Sequence, residues 1–361
     1  MEAHTFAASL LRASARGFAG LAAARMADGA PALVGAAGFD AWQEHLRHQV
    51  LSLAAAVADE APERFSARAG WLRDSYAARA LPADALEAAL DSLAATLEES
   101  LPADAWAPLP EYFRRARAEL ERGGDGGPVE PDARPAARTA AAPAADVAAA
   151  PNLAQRYVEA LVAGDEEAAV ALVRAALDAR SLDVPALIAT VLLPAQREFG
   201  RRWHCGQLGV GEEHFATQVS RKVLALALER SPPAPRRGRS VVLAAAAGDA
   251  HDLGLACVAA HFTLDGWRTL FLGADTPAAD LTRFVERYQP DLVVLGATLD
   301  EHRGPAAEAI RALRASRPAL RVLVGGAAFD GREELWRRSG ADGYAPDPAA
   351  AVVRGAELLP G

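Results

Sequence analysis

The sequence of 361 residues predicts an α plus α/β protein, with an all-helical N-terminal domain, four further helices and a C-terminal doubly wound parallel sheet. Three observations predict this class. Apolar residues recur at helical spacing up to residue 122 and again over residues 151–232. A stretch rich in glycine, proline and alanine separates these two regions. From residue 238 onward, apolar runs of strand length alternate with helical segments.

The N-terminal domain, residues 1–122, is predicted to be helical throughout. In its first strongly periodic segment, Trp42, Leu46 and Val50 recur every four residues and define one apolar helix face. Similar stripes follow up to residue 122, and no cysteine occurs among these residues. We interpret this region as a helical sensory domain.

Residues 123–150 are predicted to form a flexible linker, because nothing in this stretch could bury an apolar face. Residues 151–232 again show helical periodicity in four pieces, one of which begins with Pro185 in its first turn.

The C-terminal domain, residues 238–361, contains five predicted strands that are almost continuously apolar. Strands of this kind are typical of a parallel sheet with helices on both faces, and such sheets bind ligands at the carboxyl ends of their strands. The predicted strands are residues 240–247, 267–273, 291–298, 321–328 and a short one near 343–346.

Composition excludes several functional classes. The net charge is −9, and the arginines of the N-terminal domain are dispersed among acidic residues, so we expect no direct nucleic-acid partner. Two cysteines cannot form a disulfide framework, and no apolar run reaches the ~20 residues that span a bilayer. We therefore expect a soluble, cytoplasmic protein without membrane attachment.

The loop after the first predicted strand carries the most specific pattern. Asp249, His251 and Gly254 form D-x-H-x-x-G where a doubly wound sheet binds its ligand. His251 can offer one ring nitrogen to a metal while Asp249 accepts from the other nitrogen and fixes the tautomer. Gly254 would let the following helix approach a ligand closely. The alternative is a surface loop whose histidine has no function.

The fourth strand ends in Gly325-Gly326, a backbone surface suited to a flat or extended ligand. Together these features resemble the cobalamin-binding domain of methionine synthase, methylmalonyl-CoA mutase and the corrinoid proteins, a Rossmann-like domain with flavodoxin-like strand order. The resemblance implies that His251 is the lower axial cobalt ligand. The S-x-L motif of that family departs here, because Gly296 or Ala297 stands where serine is usual. Its hydroxyl is lost, shifted or supplied by Thr298.

Upstream of the sheet, Trp203 is followed by Glu213 and His214 with the W-x9-E-H spacing of light-sensing cobalamin photoreceptors of the CarH and LitR type. This resemblance implies adenosylcobalamin as chromophore and a four-helix cap, residues 151–232, over the upper corrin face. It also implies that Trp203, Glu213 and His214 line the upper pocket, and that His204 ligates cobalt after light has cleaved the cobalt–carbon bond. The alternative is a core tryptophan beside two solvent-facing charges.

The overall layout resembles the photocobilins, in which a globin-like domain that holds a bilin precedes the cobalamin module. That resemblance implies biliverdin as a second chromophore, held without a covalent bond because residues 1–122 contain no thiol. Trp42, His45, Trp71 and Tyr76 are the candidate contacts. The alternative is that the tryptophans belong to the core and that His45 is a satisfied interior histidine.

The sequence thus predicts a photoreceptor rather than an enzyme, with a homo-oligomer, most simply a dimer, that changes with light and acts on an unidentified downstream protein. A corrinoid methyl carrier and a haem or redox sensor are the alternatives.

His4, His261 and His302 have no ligand-like neighbours in the sequence. The loop that carries His302 either contacts the corrin edge or is solvated.

Overall fold

A computed structural model of the chain describes residues 2–78, 81–122, 150–232, 235–329 and 332–359. These residues form two compact units, one made of the N-terminal helices together with residues 204–206 and one made of the remainder. The predicted fold class is confirmed, with a helical N-terminal region and a C-terminal parallel sheet. Of the linker predicted for residues 123–150, all but the last residue lie outside the described residues. Among the described residues, no helix combines the length and apolar character needed to cross a membrane.

The described part of the N-terminal unit contains eight helices around one apolar core. Leu46, Val50 and Leu53 are fully buried, as their spacing predicts, and the rings of Phe65 and Phe113 meet edge to face with centroids 5.8 Å apart. The helices are α1 (Glu2–Ala13), α2 (Ala15–Gly29), α3 (Pro31–Ala37), α4 (Phe39–Ala58), α5 (Pro62–Ala78), α6 (Ala83–Ser100), α7 (Ala103–Trp106) and α8 (Leu109–Glu121).

The other unit begins with a second group of helices, α9 to α13. Asp165 and Asp183 accept hydrogen bonds from main-chain N–H groups in the first turns of α10 and α11, which fixes where these helices begin. A π-helical turn, Ile188–Leu192, joins α11 to α12. The helices are α9 (Ala150–Val162), α10 (Glu166–Asp178), α11 (Val184–Leu187), α12 (Leu193–His204) and α13 (Val210–Glu229).

The sheet has five parallel strands in the order β2-β1-β3-β4-β5, which is the flavodoxin-like order that was expected. Residues 241–246 of β1 are fully buried because helices cover both faces of the sheet. The elements are β1 (Ser240–Ala246), α14 (Leu253–Leu264), β2 (Arg268–Thr276), α15 (Ala278–Tyr288), β3 (Leu292–Gly296), α16 (Arg303–Ser316), β4 (Arg321–Gly325), α17 (Glu333–Arg338), β5 (Gly343–Ala345) and α18 (Pro348–Glu357).

Two features of this topology create a site. The chain reverses direction across the sheet between β1 and β3, so the loops after these strands meet at the carboxyl edge. In addition, β2 extends to Thr276, three residues past the predicted end, through register shifts opposite β1. Gly273 permits this extension, because it has φ +87° and a Cβ there would lie 3.1 Å from the Asp252 carboxylate.

Candidate functional site

Asp249 is the centre of the candidate site. It follows β1, and none of it is exposed. Its Oδ1 accepts hydrogen bonds from the main-chain N–H of His251 at 3.0 Å and lies 2.9 Å from Nδ1 of the same residue. Its Oδ2 accepts from the main-chain N–H of Thr298, after β3, at 2.7 Å. The buried carboxylate therefore ties the His251 loop to the neighbouring strand end.

The extended end of β2 holds the same loop from the other side. The main-chain N–H of Asp275 donates to the carbonyl of Asp249 at 2.9 Å, and the Asp275 carboxylate accepts from the N–H of Gly248 at 2.6 Å. Asp275 was not predicted as a site residue, because the predicted strand ended at Gly273. A carboxylate just beyond the end of a strand was the only available signal.

The electrostatics of this cluster favour an ionised Asp249. Burial by itself raises the pKa of the carboxyl, but hydrogen bonds from His251 and His302 outweigh it and hold the pKa well below its usual range. The hydrogen bond that His251 donates to Asp249 raises the pKa of His251, against the opposing effect of burial, and the charges of Glu213 and Glu301 act in the same direction. An anionic carboxylate thus orients the His251 imidazole.

His251 is arranged as a single-point metal ligand. Because Nδ1 is turned to the Asp249 carboxylate, it carries the proton, and Nε2 keeps the lone pair that a metal needs. The side chain is 60% exposed, so its ring is accessible to a ligand. A histidine oriented by a carboxylate in this way is typical of metal centres.

The burial of His302 decides against one of the two environments expected for its loop, the solvated one. The short 3-10 helix Asp300–His302 follows β3, and Glu301 and His302 are 9% and 6% exposed, so this part of the loop is not solvated. Nδ1 of His302 is 3.2 Å from Oδ2 of Asp249. The sequence did not indicate this contact because the two residues are far apart along the chain and meet only where β1 and β3 lie side by side.

The glycine of the D-x-H-x-x-G pattern, Gly254, and the pair Gly325-Gly326 have opposite surroundings. A Cβ on Gly254 would meet no atom within 4 Å, so the space beside it is open. Gly326 has φ +98°, and a Cβ there would lie 2.3 Å from the carbonyl oxygen of Ala297. A Cβ on Gly325 would lie 3.2 Å from the carbonyl oxygen of Ala345. The Gly325-Gly326 pair is therefore explained by close packing between strand ends, whereas Gly254 borders free space.

The motif preceding the sheet spans the end of α12 and the start of α13. Trp203 and Glu213 are half-buried and His214 is exposed. Glu213 accepts from the Thr217 hydroxyl at 2.8 Å, and that hydroxyl is also 3.1 Å from Oε1 of Gln196. Nε2 of His214 is 3.8 Å from Oε2 of Glu213, beyond hydrogen-bond distance.

His204 belongs to the N-terminal unit, whose described part includes residues 204–206. It is 5% exposed, and within that unit its ring stacks on that of Trp71 with centroids 4.5 Å apart. The Arg68 guanidinium lies 4.4 Å from the centroid of the Trp71 ring.

The other residues suggested for a bilin form a separate cluster. Trp42 is 5% exposed, belongs to the core, and donates from Nε1 to the carbonyl of Leu33 at 3.2 Å. Its ring is 5.2 Å from that of His45, which in turn is 6.2 Å from that of Tyr76. Burial, assisted by the charges of Arg68 and His48, lowers the pKa of His45 to about 4, so this ring is neutral.

Comparison with known proteins indicates a cobalamin cofactor. Residues 239–353 match a family described as a B12 binding domain, and residues 153–227 match a second family of the same description. The helical group and the sheet together resemble the solved monomethylamine corrinoid protein of Methanosarcina barkeri. That match has a TM-score of 0.50 and 19% identity, covers 57% of this chain and 98% of that one, and shows a shared fold.

Two relatives are regulators from Myxococcus xanthus. HTH-type transcriptional repressor CarA is 37% identical over 155 residues, which are 43% of this chain and 51% of CarA. HTH-type transcriptional repressor CarH is 34% identical over 149 residues, which are 41% of this chain and 49% of CarH. The chain thus spans about half the length of each relative. Both names are those of regulators rather than enzymes, in agreement with the expectation of a non-enzyme.

The same relatives conflict with the expectation that nucleic acid is not a partner, since both are HTH-type repressors. That expectation rested on dispersed arginines and a net charge of −9. Net charge is an average over the whole chain and does not exclude a small basic recognition surface. The exclusion therefore does not stand.

Proposed function

We propose that this chain is a cobalamin-dependent, light-responsive regulator in which His251 is the lower axial ligand of cobalt. The observation that supports the proposal most strongly is the buried Asp249 carboxylate, which occupies Nδ1 of His251 and leaves Nε2 as the ligating atom. Asp249 and His251 both lie in the segment that matches a B12 binding domain.

The residues present fit a corrinoid. The donor set is one exposed imidazole with a fixed tautomer, which suits a metal whose other positions are filled by its own macrocycle. The open space beside Gly254, at the start of α14, could accommodate the part of the cofactor that approaches this helix. Asp249, His251, Gly254 and the main-chain amide of Thr298 are the groups we assign to the lower side.

We assign the upper side to α9–α13. When bound, adenosylcobalamin supplies a cobalt–carbon bond that visible light cleaves. Trp203, Glu213 and His214 would line the upper side and exclude water from it, and His204 would provide a second imidazole for the cobalt. Because His204 is the last residue of α12, a displacement of this histidine would shift the end of that helix, and a helix shift at a subunit interface would suffice to change a homo-oligomer.

We extend the proposal to the N-terminal unit, which would hold biliverdin without a covalent bond. The support is the cluster of Trp42, His45 and Tyr76 together with the absence of cysteine from residues 1–122. Because His45 is neutral, Arg68 beside Trp71 is the better partner for a propionate. Co-expression with haem oxygenase should give absorbance beyond ~600 nm, as expected for bilin chemistry. Its absence would remove the bilin from the proposal.

The central experiment uses full-length protein loaded with adenosylcobalamin in the dark. Green light should change the absorption spectrum and the elution volume in size-exclusion chromatography. An unchanged spectrum would instead favour a corrinoid methyl carrier, and failure to bind cobalamin would refute the proposal. Haem in the purified protein would favour a redox sensor.

Two histidine variants separate the two ligands. His251→Ala should lose the lower ligand in the dark spectrum, whereas His204→Ala should bind in the dark but fail to form a stable bis-histidine state in light. His261→Ala is the matched control, because among the described residues the His261 side chain has the carbonyl of Cys257, within α14, as its hydrogen-bond partner. If His251→Ala and His261→Ala had the same spectra, the ligand assignment would be wrong.

A further inference from the structure

The carboxyl group of Glu213 is held at one of its two oxygens by Thr217. The two residues lie one turn apart on α13, and the Thr217 hydroxyl donates to Oε1 of Glu213 at 2.8 Å. The other oxygen, Oε2, is 3.8 Å from Nε2 of His214, beyond hydrogen-bond distance, and the Glu213 side chain is 33% exposed. Thr217 thus fixes Oε1, and Oε2 is the oxygen that a ligand can reach.

The hydroxyl of Thr217 is used differently from those of other threonines in the helices. A helical threonine commonly donates to the main-chain carbonyl four residues before it. The hydroxyls that do so here, at 2.7–2.9 Å, are those of Thr190, Thr263 and Thr282. Thr217 instead directs its hydroxyl to two side-chain oxygens, Oε1 of Glu213 at 2.8 Å and Oε1 of Gln196 at 3.1 Å. The helix alone therefore does not explain where this hydroxyl points.

The orientation of the Gln196 amide is fixed by Ser220. The Ser220 hydroxyl donates its single proton to the carbonyl of Ala216 at 2.8 Å, so its oxygen can only accept from the amide. Nε2 of Gln196 accordingly donates to Ser220 at 3.1 Å, which leaves Oε1 of Gln196 facing the Thr217 hydroxyl. Gln196, on α12, is thus an acceptor that competes with Glu213 for the proton of Thr217.

A hydroxyl carries one proton, so Thr217 donates fully to only one of these two acceptors at a time. The shorter distance, 2.8 Å against 3.1 Å, favours Glu213. We propose that Thr217 is a positioning residue, which holds Oε1 of Glu213 so that Oε2 meets a hydroxyl or amino group on the upper ligand of the cofactor. The inference rests on the proposed function, in which Glu213 lines the upper side. Gln196 weakens this hold, because it draws on the same proton.

The first test uses the full-length protein without cofactor, labelled with ¹³C-glutamate. Three-bond couplings across the Cα–Cβ bond of Glu213 report whether its side chain keeps one rotamer, and Glu213→Asp identifies its signals. Wild type should show one rotamer. Thr217→Val, which keeps the branched shape but lacks the donor, should give an average over several rotamers, and Thr217→Ser should restore the single one. Thr190→Val is the matched control, because it removes a hydroxyl whose described partner is a main-chain carbonyl, and it should have no effect.

The second test compares the binding of adenosylcobalamin and methylcobalamin in the dark. The adenosyl group carries hydroxyl and amino donors, whereas the methyl group carries none. Thr217→Val should weaken the binding of adenosylcobalamin by about tenfold, the loss that corresponds to one hydrogen bond, and leave that of methylcobalamin unchanged. Gln196→Leu removes the competing acceptor, so it should bind adenosylcobalamin at least as tightly as wild type. A purely structural role of this cluster would instead weaken both cobalamins in both variants.

The double variant of Thr217→Val and Glu213→Gln should bind adenosylcobalamin no more weakly than Glu213→Gln alone, because Thr217 acts through Glu213. Equal weakening of both cobalamins by Thr217→Val would overturn the proposal, as would a single Glu213 rotamer in that variant. If Thr217→Val does not fold, Thr217→Ala takes its place in both tests. If the Glu213 rotamer follows residue 217 but wild type binds neither cobalamin, the proposed function fails and the positioning role stands.

Discussion

Replacing Gly326 by alanine should destabilise the sheet, whereas replacing Gly254 by alanine should preserve the fold and weaken cobalamin binding. Gly254 belongs to the D-x-H-x-x-G pattern after β1, and Gly326 belongs to the Gly325-Gly326 pair at the end of β4. Their surroundings differ, because a Cβ on Gly326 would lie 2.3 Å from the carbonyl oxygen of Ala297, while a Cβ on Gly254 would meet no atom within 4 Å.

The cost at Gly326 has two parts. Its φ of +98° is strained for any residue with a Cβ, which costs about 1–3 kcal/mol. The contact with the Ala297 carbonyl requires a backbone shift, and forced packing of this kind costs a further ~1–3 kcal/mol. Since 1 kcal/mol lowers the melting temperature of a unit of this size by about 2–4 °C, a loss near 4 kcal/mol corresponds to roughly 8–16 °C.

At Gly254 the balance is reversed. This residue is the second of α14, where alanine is the better helix former by up to about 1 kcal/mol, so the variant should be at least as stable as wild type. The added methyl group would occupy the open space that we assign to the cofactor. We expect a loss of cobalamin affinity without a loss of stability.

The assay is thermal unfolding followed by circular dichroism, combined with titration of hydroxocobalamin into each variant. Wild-type affinity in Gly254→Ala would show that the cofactor does not approach α14 at this point. A melting temperature of Gly326→Ala within 2 °C of wild type, far less than the decrease of about 8–16 °C expected here, would contradict the packing explanation for Gly326.

Three further predictions concern the remainder of the chain. Burial lowers the pKa of His45 to about 4, so the folded state resists protonation, and stability that is complete above pH 6.5 should fall by up to about 3 kcal/mol towards pH 4. Urea unfolding at pH 7.5 and 4.5 should show a smaller difference in His45→Leu. Ser220→Ala removes a hydroxyl that a buried tyrosine and a glutamine share, and should cost about 1–3 kcal/mol in thermal unfolding; an unchanged melting temperature would contradict this. Arg221→Leu leaves the buried carboxylate of Asp252 without its ion pair and should cost about 3 kcal/mol, whereas Lys222→Leu breaks only an exposed pair and should cost less than about 1 kcal/mol. Equal losses in these two variants would show that burial of the first pair does not matter.

The fold class was predictable because its signals are local. Helical periodicity around Trp42, Leu46 and Val50 depends on neighbours within one turn or two, and all three side chains are buried as expected. The continuous apolar strands likewise required helices on both faces of a parallel sheet. Strand ends were less predictable, since the extension of β2 beyond Gly273 depends on bulged pairing with β1.

The pairing of Asp249 with His251 was also a local matter, because the two residues are close in sequence and share one loop. The hydroxyl of the S-x-L motif, which was expected to be lost, shifted or supplied by Thr298, illustrates the opposite case. The structure gives Asp249 a main-chain amide from Thr298 and the imidazole of His302, and neither could be inferred from residue types at the strand end.

The sequence by itself determined where the helical and strand segments lie, apart from the strand ends, and which loop carries the D-x-H-x-x-G pattern, because these depend on chemistry within a few residues. Only the tertiary structure decided which groups surround Asp249, since His302 and Asp275 reach it from neighbouring strands. It also decided which glycine borders open space and which is packed against a carbonyl. These distinctions depend on contacts between distant segments, which parallel strand pairing creates and the local sequence pattern does not record.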